Sequence, residues 1–297
     1  MNLSEMKSRF SPGLTLALAA VMIVLSGLAL WYLGRGEHLE SAFVRDSQKA
    51  QLVSRMRADL YAAAEAEKSA VLAETDAASQ DNAKRAQAAA EQVAAELKEF
   101  KALPIGNPEE AELLRRFEDA FAEYRKVDEE VLALAVQNTN LKAFALSFGS
   151  ASEALAKMEQ ALKPALDAGG KGGKATATAL LASRALTEAL RIQALHAPHI
   201  TEKTEARMDE LEKRMAEADK EVRAALGALG SSGAPALAAY EEFQKITAEV
   251  VRLSRLNTNV RSLALSLDRK VKVLAVCTET LGALKEHLGG LGVKATR

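Results

Sequence analysis

The chain has 297 residues and a formal net charge of −1, and aromatic residues make up only 4% of it. Without excess positive charge it offers no electrostatic attraction to nucleic acid, which we therefore exclude as a partner. A chain poor in aromatics and rich in Ala, Leu, Glu and Lys favours long helices over sheets. The composition therefore predicts an all-α protein.

Residues 13–33 form an uncharged, apolar stretch near the N-terminus. About 20 helical residues, at about 1.5 Å each, span a hydrocarbon core of about 30 Å. Lys7 and Arg9 precede the stretch, and positive residues favour the cytoplasmic side of a membrane. The pattern predicts cytoplasmic residues 1–12 and a transmembrane helix over residues 13–33 in the inner membrane of a bacterium.

A cleaved signal peptide is the alternative interpretation, because Gly27 and Ala29 form a small-x-small pattern. The apolar run is long for a signal core, which favours an uncleaved anchor. No second apolar run of that length follows, so a single-pass topology with a periplasmic bulk is expected for residues 36–297.

Three clusters of helix breakers interrupt the rest of the chain. They lie at residues 103–108, 167–174 and 230–235. Pro108 and Pro235 stand where a helix can begin, and Asn107 could cap the first of these helices. Short breaker loops predict antiparallel neighbouring helices, as four very long helices or as two stacked sets of shorter ones.

Apolar residues recur at helical spacing along these segments. One stripe runs through Phe117, Phe121, Tyr124, Val131, Asn138 and Ala145, and another through Tyr240, Phe243, Ile246, Val250, Leu253, Asn257, Val260, Ala264 and Leu267. Narrow stripes of this kind are typical of helical bundles and coiled coils.

The chain also contains an internal repeat. Residues 120–148 align without gaps on residues 239–267, with 12 identities in 29 positions. The centre of the match is the triplet Asn-Thr-Asn, at Asn138–Asn140 and again at Asn257–Asn259. Shared helical composition would match residue classes but not a polar triplet in register, so the repeat indicates a duplication.

The repeat predicts an elongated antiparallel bundle built from two related halves. The expected divisions are a first half at 36–168, a Gly-rich linker at 169–174, a second half at 175–290 and a tail at 291–297.

Several segments resemble the periplasmic four-helix-bundle sensor domain of methyl-accepting chemotaxis proteins, in its duplicated or bimodular form. These are Met56–Leu60, Glu67–Leu72, Phe121–Tyr124, Val131–Leu134 and Phe148–Gly149, which follow the N-terminal anchor. The resemblance implies a periplasmic, homodimeric bundle that binds small molecules between helices. The second span and the cytoplasmic signalling domain of that family find no match in this chain. A membrane signalling partner would then carry the signal.

The triplets are the leading site candidates. The residues are Asn138, Thr139, Asn140 and Lys142 in the first copy and Asn257, Thr258, Asn259 and Arg261 in the second. An Asn within an apolar seam must find a partner or cost about 1–3 kcal/mol. It could fix helix register as a buried polar layer, or it could bind a ligand, with the nearby cations attracting an anion.

Other chemistry has weaker support. His196 and His199, three residues apart around Pro198, could share a metal, but a tight zinc site needs more ligands. Cys277 is the only cysteine, interpreted as a small buried residue or as an intersubunit cross-link. The sequence has no phosphate-binding loop and no metalloprotease motif. We expect no cofactor and no enzymatic activity.

The function hypothesis is therefore a membrane-anchored sensory bundle that binds a small-molecule ligand. The rival hypothesis is a structural scaffold or spacer in an envelope complex, without any ligand.

Overall fold

The computed structural model describes residues 12–169 and 172–295. This part of the chain is helical and without strands, which confirms the predicted all-α class. The helices are α1 (Pro12–Val71), α2 (Asp76–Ala102), α3 (Pro108–Ala135), α4 (Thr139–Phe148), α5 (Ser150–Asp167), α6 (Gly173–Thr201), α7 (Glu205–Ala228), α8 (Ala234–Leu256), α9 (Thr258–Leu265) and α10 (Val271–Ala295). A 3₁₀ turn, Gly230–Gly233, precedes α8, and a π-helical turn, Ser266–Lys270, joins α9 to α10.

The predicted breakers end helices where they were expected to. Helix α3 begins at Pro108, and the side chain of Asn107 accepts a hydrogen bond from the Glu110 N–H at 3.0 Å. This bond satisfies one of the donors that every helix N-terminus leaves free. Pro235 lies in the first turn of α8. The Gly-rich segment separates α5 from α6, although residues 170–171 lie outside the described residues.

Much of the predicted anchor can be followed only as backbone. Residues 1–11 lie outside the described chain, and the side chains of residues 13–19, 29–30 and 32–33 are also outside the description. Among the residues that the structure describes, no helix combines the length and the hydropathy needed to cross a membrane.

Contacts divide the chain into two compact units. Unit 1 contains Met1–Asp59, Gln92–Glu118 and Cys277–Arg297, and unit 2 contains Leu60–Glu91 and Asp119–Val276. The predicted boundaries of the two sequence halves, including the tail at 291–297 with its undescribed residues 296–297, stay a prediction.

Unit 1 has an apolar core with one buried ion pair. Phe100 and Phe117 are fully buried there, and so is Cys277, whose thiol has its pKa raised to about 12 by burial. The Lys49 ammonium lies 2.6 Å from the Glu110 carboxylate, and both side chains are nearly inaccessible. One ammonium is thus balanced by one carboxylate.

Unit 2 contains the larger core. Helices α5, α6, α7 and α8 pack together through Ala, Leu and Met side chains, and Tyr240 and Phe243 are fully buried among them. Two smaller clusters form around Leu132 and Val131, where the end of α1 and the start of α2 pack on α3. This arrangement is four-helix packing over small side chains.

Unit 2 also shows that its segments are not continuous helices. The chain leaves the helix at Asn138, between α3 and α4, and at Asn257, between α8 and α9. The predicted apolar stripes fail just beyond these points, since Ala145 and Ala264 are exposed. A break changes the angular phase of the next helix, so a stripe extrapolated through it points to the wrong face.

Candidate functional site: a clasp between the two repeats

Both breaks depend on an asparagine in the left-handed conformation. Asn138 has φ 50° and ψ 38°, and Asn257 has φ 53° and ψ 36°. They are the only residues other than glycine with positive φ in the described chain. Asparagine tolerates this region far better than most residues, which explains why it stands at both breaks. The Asn257 N–H still reaches the Leu253 carbonyl at 3.4 Å, as at a helix C-terminus.

The threonines of the two triplets cap each other's helices. The Thr139 N–H donates to the Thr258 Oγ1 at 3.2 Å, and the Thr258 N–H donates to the Thr139 Oγ1 at 3.1 Å. The two hydroxyl oxygens are 3.1 Å apart. The first N–H groups of a helix normally need an acceptor from their own N-cap residue. Here neither N-cap asparagine supplies one, and the other copy of the repeat does.

The asparagines that follow repeat this exchange. The Asn140 N–H donates to the Asn259 Oδ1, and the Asn259 N–H donates to the Asn140 Oδ1, each at 3.1 Å. The Asn140 amide also donates to the Asn257 Oδ1 at 2.8 Å, and the Asn259 amide donates to the Asn138 Oδ1 at 3.0 Å. We call the two triplets, Asn138–Asn140 and Asn257–Asn259, the clasp. Its bonds are related by a local twofold exchange of the two copies.

Neighbouring turns hold the clasp from both sides. The Asn138 amide donates to the Asp76 Oδ1 at 2.9 Å, at the start of α2. The Asn257 amide donates to the Glu202 carbonyl at 2.8 Å, in the turn between α6 and α7. Asn138, Thr139, Asn140, Asn257 and Thr258 are all at least nine-tenths buried. The polar groups are therefore paired inside the fold, which supports the interpretation that they fix helix register.

The two cations next to the clasp are exposed. Lys142 lies 3.4 Å from the Asp76 carboxylate and donates to the Gln137 carbonyl at 2.9 Å. Arg261, at the equivalent repeat position, also faces solvent. Ligand binding by the clasp and by these two residues stays a prediction.

The two histidines lie in the same buried region but make separate contacts. The His196 Nδ1 is 3.0 Å from the Ser147 Oγ, and its ring stacks on Phe243 with centroids 5.9 Å apart. Burial lowers the pKa of His196 to about 4. The His199 Nδ1 is 2.7 Å from the Ser254 Oγ, and its Nε2 is 2.9 Å from the Glu212 carboxylate.

Pro198 does not break α6, which continues to Thr201 before the turn. Within the described residues, no group of three or more His, Cys, Asp or Glu side chains is arranged to hold a metal ion.

Sequence reasoning missed a second buried polar group in unit 2. Glu67, Asp128 and Lys270 are 0%, 4% and 2% exposed, and the Lys270 ammonium pairs with both carboxylates. A signal was available, because Asp128 fills the gap between Tyr124 and Val131 in the apolar stripe of α3. Charged residues on helices usually lie on solvated faces, so the burial of Asp128 was not expected.

Comparison with known families agrees with this fold. The family described as a four helix bundle sensory module for signal transduction matches residues 6–183. No curated protein matches the chain. The family match covers more than half of the 297 residues, and the second repeat copy lies beyond it. The chain belongs to the family of four-helix-bundle sensory modules for signal transduction.

Proposed function

We propose that the chain is a membrane-anchored, extracytoplasmic ligand sensor of the chemoreceptor type that signals through a membrane partner. The family match over residues 6–183 carries this proposal, because it includes the predicted anchor as well as the first helices. The match identifies a sensory family and not an enzyme family.

The apolar surface of α1 supports the anchor. Residues 20–28 are all exposed and contain no charge, and Ile23 is 72% exposed. A helix that is apolar on every side needs a non-aqueous environment. The test is protease treatment of spheroplasts that carry the chain with a C-terminal epitope. Loss of the epitope supports the proposed topology, and a protected epitope contradicts it.

A small-molecule ligand is the second part of the proposal. Lys142 and Arg261 stand exposed at equivalent places beside the clasp, which supports a small anion such as a carboxylate. The test is a thermal-shift screen of small acids, amino acids and inorganic anions on the full chain in detergent. A ligand at 100 times its dissociation constant should stabilise the fold by about 2.7 kcal/mol.

The same screen separates the sensor from the scaffold. The hydrogen bonds within the clasp favour a structural use of the triplets, which is what a scaffold would also need. A broad screen without any stabilising compound would leave the scaffold as the better hypothesis.

We also propose a homodimer. Phe148 and Leu267, at equivalent repeat positions, are 64% and 62% exposed, and exposed apolar side chains at matching places support self-association. Light scattering of the full chain in detergent measures its mass. A twofold mass that falls in a Phe148→Ser variant supports the dimer, and a monomeric parent chain contradicts it.

A further inference from the structure

The buried charges of unit 2 do not balance. The Lys270 ammonium bonds to the Asp128 carboxylate, lies 3.5 Å from the Glu67 Oε2 and sits 4.3 Å from the centre of the Tyr124 ring. Two carboxylates thus share one ammonium, and all three groups are at most 4% exposed. If both carboxylates were ionised, the group would hold a net charge of −1 in a region almost closed to water. An uncompensated buried charge is so costly that the group takes up a proton instead.

The contacts assign that proton to Glu67. Asp128 has the direct bond to the ammonium and is further favoured as an anion by Arg125, on the same helix. The Ser266 hydroxyl approaches Glu67, but neither carboxyl oxygen of Glu67 makes a hydrogen bond of normal geometry. Burial raises the pKa of both carboxyls. The acid with fewer contacts to its charged form keeps the proton.

Helix α2 presents mainly alanines here, and its Glu91, in the groove beside Asp128, is bonded to Arg125. The side of α2 that packs near this group presents Ala83 and Ala86, against Ala70 and Leu132. The charges that act on Glu67 are therefore those of Lys270 and Asp128.

The position of Lys270 depends on the π-helical turn. Lys270 is the last residue of Ser266–Lys270, and α10 begins at the next residue. A π turn inserts an extra residue per turn and so rotates the helix after it, and such turns occur frequently at functional sites. The ion pair with Asp128 thereby ties the start of α10 to α3.

Solvent can reach this group at one edge. Asp128 lines a groove of about 590 Å³, together with Gln87, Glu91, Arg125 and Glu129. Protons can therefore exchange with water without unfolding of the core.

We propose that Glu67, Asp128 and Lys270 form a proton-binding site that acts as a pH-operated latch on the Ser266–Lys270 turn. With Glu67 protonated, the group is neutral and the turn is held. Loss of the proton leaves a second buried negative charge, on Glu67. Opening of the Ser266–Lys270 turn then lets water solvate that charge. The inference is independent of ligand sensing, because it concerns only the proton and these three side chains.

The test compares the full chain with its Glu67→Gln variant in urea unfolding, from about pH 5 to about pH 9. A carboxyl with a raised pKa stabilises the fold below its ordinary pKa of 4.5, and that contribution is lost as pH rises through the folded pKa. The unfolding constant of the parent should therefore rise about tenfold per pH unit, relative to the variant, until the folded pKa is reached. Glutamine mimics the neutral acid, so the variant should be the more stable protein at high pH.

Hydrogen exchange gives the local measurement. Amides of residues 266–270 should exchange faster as pH rises in the parent, after correction for intrinsic exchange, and this increase should vanish in Glu67→Gln. Glu110→Gln is the matched control, because Glu110 and the buried Lys49 form an ion pair of one carboxylate and one ammonium. It should weaken the fold at every pH and show no gain at high pH.

A second variant covers a failure of Glu67→Gln to fold. Asp128→Asn leaves one carboxylate for one ammonium, so it should also remove the pH dependence. Parallel pH curves for the parent and for every variant that folds would overturn the proposal, and so would exchange at residues 266–270 that does not depend on pH.

Discussion

The two copies of the repeat share their clasp but differ in the polar cluster beyond it. Ser147 in the first copy contacts His196, whose ring stacks on Phe243. Ser266, its equivalent 119 residues later, approaches Glu67, and there Lys270 lies over Tyr124. The pairs Ser147 with Ser266 and Tyr124 with Phe243 are aligned positions of one repeat. Equivalent positions of the two repeat copies therefore surround a neutral histidine in one cluster and a buried ion pair in the other.

The two clusters should respond to pH in opposite directions. Burial lowers the pKa of His196 and raises the pKa of Glu67. Each shift favours the neutral form, because burial disfavours charge on either kind of group. The first cluster should then be weakened by acid and the second by base, so the two copies of the repeat should give two distinct pH responses.

Removal of the ammonium from the second cluster should have the largest effect. Lys270→Met leaves Glu67 and Asp128 buried without their cation, which should cost about 3–5 kcal/mol in the free energy of unfolding by urea. Lys272→Met is the control, since that side chain is 74% exposed and pairs with Asp268 at the surface. The control should cost under about 1 kcal/mol. Equal costs for the two variants would show that the cluster is not charged as described.

The histidine of the first cluster should give the next largest effect. Because the folded pKa of about 4 lies below the ordinary 6.5, stability should fall as pH drops through this interval and stay unaffected above it. The loss should approach roughly 3 kcal/mol at most. His196→Asn keeps a polar contact for Ser147 but does not titrate. Its stability in urea unfolding should therefore not show this fall at acid pH. The same loss of stability at acid pH in the variant would show that other groups cause it.

The left-handed asparagines should show a smaller and equal effect in both copies. Asn138→Ala should be less stable than Asn138→Gly by about 1–2 kcal/mol, because only glycine adopts positive φ without a steric cost. The same difference should appear between Asn257→Ala and Asn257→Gly in urea unfolding. A difference in one copy only would show that Asn138 and Asn257 are not equivalent, contrary to the local twofold relation of the two copies.

The exposed cations should have the smallest effect on stability. Lys142→Ala and Arg261→Ala should each change the free energy of unfolding by less than about 1 kcal/mol, as usual for surface charges. If either residue holds an anion, its variant should weaken the binding of that anion in isothermal calorimetry while melting stays nearly constant. Unchanged affinity in both variants would remove these two residues from the proposed ligand site.

Much of the fold could be predicted because local rules decide it. Helix boundaries follow from the backbone chemistry of Pro108, Pro235 and the Gly-rich segment. The all-α class follows from the composition. The turn after α1 is set by Thr75, which caps the start of α2 by accepting a hydrogen bond from the Ala78 N–H. Ser79 lies inside α2 and donates to the carbonyls of Ala70 and Ala135, contacts between distant residues that local rules do not reveal.

The site could be predicted only as far as the residues that form it. The repeated triplets stood out in the sequence, but their exchange of hydrogen bonds joins residues 119 positions apart and depends on tertiary packing. The left-handed conformation of Asn138 was not visible either, since asparagine is also compatible with a helix. Lys270 was missed because its burial follows from a π turn that no periodicity indicated.

A double-mutant cycle on Thr139 and Thr258 tests the clasp most directly. Each hydroxyl accepts from the other residue's N–H and also contacts the other hydroxyl, so the two side chains belong to one interaction. Thr139→Val and Thr258→Val should each cost about 1–3 kcal/mol in urea unfolding, because each leaves a buried N–H without an acceptor. The double variant should depart from additivity by about 0.5 kcal/mol or more, as contacting residues do. Additive losses, or single variants as stable as the parent chain, would contradict the reciprocal clasp.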